Sequence, residues 1–524
     1  MSHMFDGEEE PNLAKQIEDL QRNLAYQKSR KAPILRLSEG LLFAIISYTK
    51  WFPDMRYRHI HRMPQVWMCA LVSERWYRIV TSSPYMWDVV NANWTVRKIK
   101  TWFVRSKAAK LHVWMDAALK DCDSMIVPRL ISTELSRIRS LRIITSATFM
   151  DDWRQLLDQD APVIEAFSLC ITYPRQQDDH CRLNLTFPAS YFHGRPPQLL
   201  REVEFCGPHI VWASPHLYNL TCLRIQGHDR SNRPRVPLAQ VLRSLQHLPL
   251  LQYLDVAGEA FPDDDGNPQG LVVVVSRLKL LRFRGGFERW CPLFTYLLFP
   301  FATEIDLCST SRDPSDVDML FDHLALYFRD ESGSAGRQNK FDSVAMHQDD
   351  EGLRLRAECT GSAGRSPLHI DLKSTALREV VYRKFTAMAP VSRATELNLT
   401  GSMANPGQWK GIKQAMEFLT VLRLGDEACG TFPHAILKIQ DSSRPFLRLL
   451  RIEIEKASFG ALTAQADDFW QKMGRSIATI VESQIMGRPW GDRLSVVRFL
   501  ACTGDVDGGF ARLLDDYGVA VLIA

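Results

Sequence analysis

A six-residue phrase, apolar-x-x-apolar-x-apolar, recurs along most of this 524-residue chain and limits the folds that it can adopt. The phrase occurs thirteen times from residue 138 onward, at intervals of about 17 to about 47 residues. Its last three positions alternate apolar, polar and apolar, which is typical of a short strand with one buried face. The copies are Ile138/Leu141/Ile143, Ile164/Phe167/Leu169, Leu200/Val203/Phe205, Leu220/Leu223/Ile225, Leu251/Leu254/Val256, Leu278/Leu281/Phe283, Ala302/Ile305/Leu307, Phe341/Val344/Met346, Leu377/Val380/Tyr382, Ala394/Leu397/Leu399, Leu419/Leu422/Leu424, Leu447/Leu450/Ile452 and Leu494/Val497/Phe499.

One such unit cannot bury its own apolar face, whereas stacked units can. Several of the intervals lie near the roughly 20–29 residues of leucine-rich repeats. The segment between copies returns the chain, and we expect a helix over 238–248 to do so. The asparagine expected after the phrase is missing from most copies, which favours an irregular solenoid over a regular horseshoe. The alternative is an ordinary α/β domain with parallel strands and crossover helices.

Composition excludes several classes of protein. The net charge of +4 is too small to indicate nucleic acid by itself. The 11 cysteines include no CxxC pair, which favours a reducing compartment over a disulfide framework. The chain has no run of about 18 apolar residues, so we expect no membrane span. The acidic start, MSHMFDGEEE, lacks the basic region of a secretory signal, so we expect a cytoplasmic and/or nuclear protein.

The residues before the repeats divide into four segments. Residues 1–11 are predicted to be disordered, and residues 12–31 to form a helix with an apolar stripe that Pro33 ends. Residues 33–95 predict two or three short helices with an apolar, tryptophan-rich surface. Residues 96–137 are expected to form a helical connector to a repeat domain over 138–524.

No catalytic or metal-binding signature stands out. The chain has no phosphate-binding GK[ST] loop, no HExxH and no GxSxG. His59 and His61 lack a nearby third ligand, and the acidic run 263–265 lacks EF-hand spacing. The basic and aromatic stretch 56–62 is too short to favour RNA. We therefore expect neither enzymatic activity nor a cofactor nor a metal.

The string "APILRLSEGLLFAIIS…WMCALVSERWYRIVTSSPYMWDVV" resembles an F-box-like domain, closest to the expanded F-box families of mushroom-forming fungi. The resemblance covers about 60 residues. The chain has Ser38 and Ser73 where the family usually has proline and cysteine, and residues 50–64 look like an insertion. The matching positions are Leu37, Glu39, Leu41, Leu42, Ile45, Ile46, Leu71, Val72, Arg75, Trp76, Ile79, Val80, Ser83, Pro84 and Trp87.

This resemblance implies a substrate-recognition adaptor of a Skp–cullin–F-box ubiquitin ligase. The adaptor would dock on a Skp-type linker of a cullin–RING ligase, and the repeats would capture a protein substrate. The fold class expected is therefore α/β, with a small helical F-box-like module followed by an irregular leucine-rich-repeat-like solenoid. The linker-binding residues implied are Leu37, Leu41, Leu42, Ile45, Leu71 and Val72, and the bracing residues are Trp76, Pro84 and Trp87.

Two other classes of function stay open. A protein-interaction scaffold could keep the F-box-like fold without docking the linker, as Ser38 and the insertion at 50–64 allow. A hydrolase in an α/β domain would need clustered Ser, His and Asp residues or metal ligands, and the sequence gives no sign of either.

Arginine is frequent at the position between the last two apolar residues of the phrase, which should face the open side of the array. Arginine binds carboxylates and phosphates through two hydrogen bonds, so we hypothesise a basic surface for an acidic or phosphorylated substrate segment. The alternative is ordinary exposed strand charge, because Glu204, Asp255 and Asp306 hold this position in other copies. The arginines are Arg142, Arg224, Arg282, Arg423, Arg451 and Arg498.

Overall fold

The protein is mixed α/β and divides into two compact units, residues 1–167 and 168–524. The disorder expected at 1–11, most of the helix expected at 12–31 and the insertion at 50–64 lie outside the described residues, although 19–21 are helical. The computed structural model describes residues 19–21, 33–49, 65–116, 126–146, 153, 155–172, 191–194, 197–207, 217–227, 236–261, 271–300, 303–310, 313–328, 341–349, 352–358, 368–373, 378–401, 406–438, 446–457, 469–485, 493–502 and 508–523.

The first unit begins with short helices and continues into parallel strands. Strand β1 pairs with β2, and β2 pairs with β3, both in parallel. The α-helices are α1 (Glu39–Thr49), α2 (Gln65–Ala70), α3 (Glu74–Ser82), α4 (Val96–Ser106) and α5 (Ile126–Thr133). The 3-10 helices are Pro33–Arg36, Pro84–Trp87 and Leu135–Arg137, and the strands are β1 (Val89–Asn91), β2 (Leu111–Asp116) and β3 (Ile138–Ser146). Strand β4 (Ala166–Thr172) spans the boundary between the units.

The connector expected to be helical over 96–137 contains a strand as well. Helices α4 and α5 occupy its two ends, but β2 lies between them. The side chains of β2 alternate strictly between buried and half-buried, and Leu111, Val113 and Met115 are the buried ones. The segment is therefore a half-buried strand, because its apolar residues repeat every two positions and not every three to four.

The second unit holds a large, mostly parallel sheet. Its strands are β5 (Glu202–Cys206), β6 (Cys222–Gln226), β7 (Tyr253–Ala257), β8 (Val273–Val274), β9 (Leu280–Gly285), β10 (Leu297–Leu298), β11 (Glu304–Ser309), β12 (Ser343–Gln348), β13 (Leu353–Glu358), β14 (Leu368–Leu372), β15 (Glu396–Gly401), β16 (Val421–Gly425), β17 (Arg451–Glu455), β18 (Val496–Leu500) and β19 (Ala520–Ile523). Strands β8 and β10 form a separate parallel pair.

The helices of this unit follow one another along the chain. The predicted helix over 238–248 is confirmed as α6, and each later long helix packs against the long helix before it. The α-helices are α6 (Leu238–Gln246), α7 (Phe287–Thr295), α8 (Pro314–Tyr327), α9 (Arg378–Ala387), α10 (Ala389–Ser392), α11 (Pro406–Ala415), α12 (Asp426–Lys438), α13 (Phe469–Ile485) and α14 (Gly508–Asp516). The 3-10 helices are Tyr191–Gly194 and Gly258–Ala260.

The order of strands in this sheet follows the chain except at one place. From β5 the neighbours run β6, β7, β9 and β11, and from β15 they run β16, β17, β18 and β19, all in parallel. Between β11 and β15 the order is β14, β13, β12. These three strands form an antiparallel meander, in which only β13 runs against the rest of the sheet.

The recurring phrase marks the buried side of eleven of the described strands, as expected. Its apolar residues are almost fully buried in β3 to β7, β9, β11, β12, β15, β16 and β18 wherever the structure describes them. Leu223, Leu254 and Leu281, which are equivalent residues of three successive strands, are paired directly across the sheet. The phrase therefore stacks its apolar residues in rows, which gives the second unit a continuous core.

Two copies of the phrase do not lie where the sequence placed them. Val380 and Tyr382 belong to helix α9, where Val381, Tyr382 and Phe385 are buried at helical spacing. In the copy at 447–452 the buried frame is shifted by two residues, to Leu449, Ile452 and Ile454, while Leu447 is exposed. A shift of two residues keeps the same face of a strand inward, so alternation alone cannot choose between the two frames.

In the part of the chain that the structure describes, no helix is both long and apolar enough to cross a membrane.

Candidate protein-interaction surfaces

The two serines that depart from the F-box-like pattern both begin helices. Ser38 Oγ accepts a hydrogen bond from the backbone N–H of Leu41 at the start of α1. Ser73 Oγ accepts one from the N–H of Trp76 at the start of α3. Each serine satisfies a backbone donor that the first turn of a helix leaves without a partner. Both departures therefore have a local structural reason.

Helix α1 packs against both α2 and α3. Leu42 and Ile46 of α1 and Ala70 of α2 are buried, as are Ile79 and Val80 of α3. These residues form the interior of a three-helix cluster, since their spacing brings them to the inward side of each helix.

A hydrogen bond joins the entrance of α1 to α3. The Arg75 guanidinium donates from Nη2 to the carbonyl oxygen of Leu37 over 2.7 Å. Leu37 is half-buried at this position. The contact fixes the entrance of α1 against α3, so the outward faces of these helices are held in a defined arrangement.

Other apolar side chains of these helices face solvent. Leu41 and Ile45 are one turn apart on α1, and they are 55% and 37% exposed. Met68, Leu71 and Val72, at the end of α2, are each more than half exposed. We call these five residues the apolar docking face. Four were predicted as linker contacts, whereas Met68 was missed, although the apolar run around it was visible in the sequence.

Leu42 lies outside the docking face. It was predicted as a linker contact, but its side chain is fully buried in the helix cluster. Leu41 and Leu42 are adjacent in sequence and point about 100° apart on a helix, so only the packing of α2 and α3 decides which of the two faces outward.

Among the predicted bracing residues, Trp87 belongs to an aromatic cluster with Trp102 and Trp94. Trp87 is buried, and its indole Nε1 donates to the carbonyl oxygen of Val80 over 2.9 Å. Its ring meets Trp102 of α4 edge to face, with ring centroids 4.5 Å apart. Trp76 is buried as well, and Pro84 starts the 3-10 helix that carries Trp87. Trp87 thus links α3 to α4, which suits a bracing role.

The second surface is the polar face of the sheet in the second unit. The position between the last two apolar residues of each phrase forms a row across neighbouring strands. From β5 to β11 this row reads Glu204, Arg224, Asp255, Arg282 and Asp306. From β16 to β18 it reads Arg423, Glu453 and Arg498. We call these eight residues the charge row.

Opposite charges in the charge row bind one another. Arg282 Nε lies 2.5 Å from a carboxylate oxygen of Asp306, and its Nη1 lies 3.8 Å from Asp255. Arg284, one row further along β9, also binds Asp255, over 2.9 Å. Burial by itself lowers the pKa of Arg282, but the hydrogen bond and the charge of Asp306 outweigh it and raise the pKa. Arg282 therefore stays charged and paired.

The same arrangement recurs around Glu453, whose carboxylate is buried. Arg423 binds Glu453 through Nε over 2.7 Å, and it binds Glu396 through Nη1 over 2.8 Å. Arg451 and Arg498 lie 3.4 Å and 3.7 Å from the other oxygen of Glu453. Burial lowers the pKa of Arg423, but the hydrogen bonds to Glu453 and Glu396 raise it overall.

The remaining predicted arginines differ in their surroundings. Arg451 faces the same side of the sheet but lies one row earlier, beside Val421, because the frame of β17 is shifted by two residues. Glu453 holds the position that was assigned to Arg451. Arg224 stands between Glu204 and Asp255 of the neighbouring strands. In the first unit, Arg142 pairs with Trp114 across the sheet, and its buried Nε and Nη1 have no hydrogen-bond acceptor among the residues that the structure describes.

The charge row thus alternates between acidic and basic residues rather than forming a basic surface. Three of the six arginines, Arg282, Arg423 and Arg498, lie in the row within reach of carboxylates. The presence of Glu204, Asp255 and Asp306 at equivalent positions was the signal for this alternative in the sequence.

Among the described residues, no group of three or more His, Cys, Asp or Glu side chains could hold a metal ion. No protein-family model matches the chain, and no curated protein sequence matches it either.

Proposed function

We propose that this protein is a substrate-recognition adaptor of a Skp–cullin–F-box ubiquitin ligase, with no catalytic activity of its own. The apolar docking face would bind a Skp-type linker, and the second unit would bind a protein substrate. The observation that carries the proposal is the exposure of Leu41, Ile45, Leu71 and Val72 on helices whose opposite sides are buried.

Several apolar side chains close together on a surface have an unfavourable free energy of exposure to water. Burying one leucine-sized side chain contributes about 1.5–3 kcal/mol. Exposed apolar clusters on soluble proteins often mark sites of protein contact. Leu41 and Ile45 have the i, i+4 spacing by which a helix enters an apolar groove. The face also draws on both α1 and α2, which pack on each other.

We propose further that the strands and helices form an irregular leucine-rich-repeat-like solenoid. The stacked rows of phrase residues support this architecture, as does the succession of helices that each pack on the one before. The antiparallel meander β12–β14 and the uneven intervals make it irregular. The substrate is then expected on the polar face of the sheet, where the charge row lies.

The alternative function is a protein-interaction scaffold that does not dock the linker. It keeps the second unit as a binding surface and gives the docking face another partner. The two functions differ in one measurable property, which is the affinity of the intact chain for a Skp-type linker.

Calorimetric titration of the full chain with a purified Skp-type linker tests the proposal. We expect the wild-type chain to bind, and Leu41→Asp to weaken binding at least about 30-fold, because a charge would be buried without a partner. Leu71→Asp should act in the same direction. Leu298→Asp is the matched control, since Leu298 is a similarly exposed leucine in the second unit.

The outcomes separate the functions. If the wild-type chain does not bind the linker, the ligase adaptor is wrong and the scaffold takes its place. If Leu298→Asp weakens binding as much as Leu41→Asp does, the docking face is wrong. Unchanged thermal unfolding of each variant shows that a loss of binding does not come from misfolding.

A further inference from the structure

The outer side of α4 and the turn after it carry a dense basic surface. Residues 96–110 contain six cations and no acidic residue. We call these six residues the basic helix surface: Arg97, Lys98, Lys100, Arg105, Lys107 and Lys110. It lies outside the apolar docking face and does not depend on the function proposed above.

The helix separates its two sides sharply. Ile99, Trp102 and Phe103 are buried, while Arg97, Lys100 and Val104 are exposed at i, i+3 and i+7. Val104 is 75% exposed, which is high for an apolar side chain between cations. The exposed side therefore combines positive charge with an apolar centre.

None of the six cations forms a salt bridge within the described part of the chain. The positions of Arg97, Lys98 and Lys100 are also unfavourable for an isolated helix. Arg97 and Lys98 lie in the first turn, where the helix dipole disfavours positive charge. Arg97 and Lys100 are like charges one turn apart. A cluster that repels itself and lacks internal anions is suited to an external anionic partner.

Two cations of the surface are held over aromatic rings. Lys98 Nζ lies 3.9 Å from the ring centroid of Trp94, and the Arg105 guanidinium lies 4.4 Å from that of Trp87. At the other end of the helix, Arg137 donates to the carbonyl oxygens of Phe103 and Lys107. These contacts fix the helix and part of its charge before any partner arrives, which lowers the entropy cost of binding.

A shallow cavity of about 520 Å³, open to solvent, runs along this side of the helix. Val96, Arg97, Lys100, Thr101, Val104 and Arg105 line it. We propose that the basic helix surface binds an acidic peptide segment that also carries apolar side chains. The carboxylates would pair with Arg97, Lys100 and Arg105, and an apolar side chain would cover Val104.

The chemistry of the cavity favours a peptide over other polyanions. Nucleic acid binding without a sequence preference relies on aromatic rings that stack with bases. Here Trp102 is buried, and Lys98 covers Trp94. Membrane-surface helices present large apolar residues such as Trp, Phe or Leu beside their cations. Among the described residues of this helix, valine is the largest apolar residue on the exposed side.

Fluorescence anisotropy of the full chain with a labelled peptide tests the proposal. The probe is a peptide of about twelve Glu, Asp and Leu residues, and its control replaces the acids with Gln and Asn. We expect the acidic probe to bind and its affinity to fall as salt rises from low to physiological concentration. Arg97→Glu with Lys100→Glu should weaken binding roughly tenfold or more.

The matched control is Arg243→Glu with Arg277→Glu, which changes the net charge equally at two exposed arginines of the second unit. If this control weakens binding as much as Arg97→Glu with Lys100→Glu does, general charge attraction replaces the proposed site. Val104→Ser should weaken binding of the Leu-containing probe but not of one with Ser in place of Leu. Tighter binding of a single-stranded oligonucleotide or of phosphatidylserine vesicles than of the acidic peptide would overturn the peptide assignment.

Discussion

The basic helix surface carries six cations and the charge row carries four, and the two regions use them differently. In the charge row, Arg282 and Arg423 each bind carboxylates on neighbouring strands. On α4 and in the turn after it, six cations have no acidic partner among the described residues. In the sequence, both regions show only a high frequency of basic residues. The structure separates charges that hold strands together from charges that are available to a partner.

The difference follows from the secondary structure beneath each region. In a parallel sheet, every residue of a row faces a neighbour about 4.8 Å away on each side, so alternating signs in successive repeats become ion pairs. On a single helix, the neighbours of a residue come from its own turn. The sequence of α4 supplies only cations there, so pairing within the helix is excluded. Local charge composition on a helix is thus a better guide to binding than arginine frequency on a sheet.

The largest loss of stability is expected for a substitution at Glu453, in the charge row. Glu453→Gln leaves Arg423, Arg451 and Arg498 facing one another around a buried amide. We expect a loss of about 2 kcal/mol in the free energy of unfolding, below the range for fully buried pairs because the arginines are partly in water. Urea unfolding of the full chain measures it. Glu455→Gln is the control and should cost under about 0.5 kcal/mol, since Glu455 is half-exposed and 3.9 Å from Arg423. Equal effects would show that burial of Glu453 is irrelevant.

A smaller loss is expected at Asp255. Asp255→Asn removes the ion pair with Arg284 and the longer one with Arg282, but Arg282 keeps Asp306. We expect a cost of about 1 kcal/mol, observed as a lower urea midpoint. Asp515→Asn, at an exposed aspartate on α14, should leave the midpoint unchanged. A neutral result at Asp255 would mean that the charge row does not stabilise the sheet.

The smallest effect has the opposite sign. Arg97→Glu places a negative charge in the first turn of α4, where the helix dipole favours it and where repulsion from Lys100 is replaced by attraction. We expect a gain of about 0.5 kcal/mol in the free energy of unfolding, together with weaker binding of the acidic probe. Lys110→Glu, beyond the end of the helix, should not change stability. If Arg97→Glu destabilises the chain, Arg97 contributes to stability in the same way as the charge row.

Most strands of the large sheet could be predicted from the sequence, because the apolar positions of the recurring phrase indicate which side of a strand is buried. The sequence-based prediction was wrong where one apolar pattern is compatible with both a strand and a helix. The segment 378–387 has apolar residues compatible with either period, and its neighbours in space decide for the helix. Strands β13 and β14 were missed although Leu353, Leu355 and Ala357 alternate regularly. They follow a simple alternation without the first apolar residue of the phrase, so a search for the phrase passes over them.

The candidate docking face was predicted in part for a similar reason. Helical spacing identifies an apolar stripe, but an apolar stripe can face a core or a partner. Leu41 and Leu42 are chemically identical, and their exposures differ completely because α2 and α3 cover one of them. The hydrogen bond from Arg75 to Leu37 also depends on a contact between residues far apart in sequence, which no local pattern contains.

The meander β12–β14 has a consequence for the order in which the second unit assembles. In a stack of repeats each strand can join the sheet as soon as the strand before it has joined. Strand β11 cannot extend the sheet in this way, since its next partner is β14, and Cys308 meets Asp371 63 residues later. The segment 310–368 must therefore close as a loop before growth of the sheet continues, at a somewhat larger entropic cost than that of shorter connections such as the one from β17 to β18. This junction is expected to separate an early-folding part of the sheet before it from a later-folding part after it.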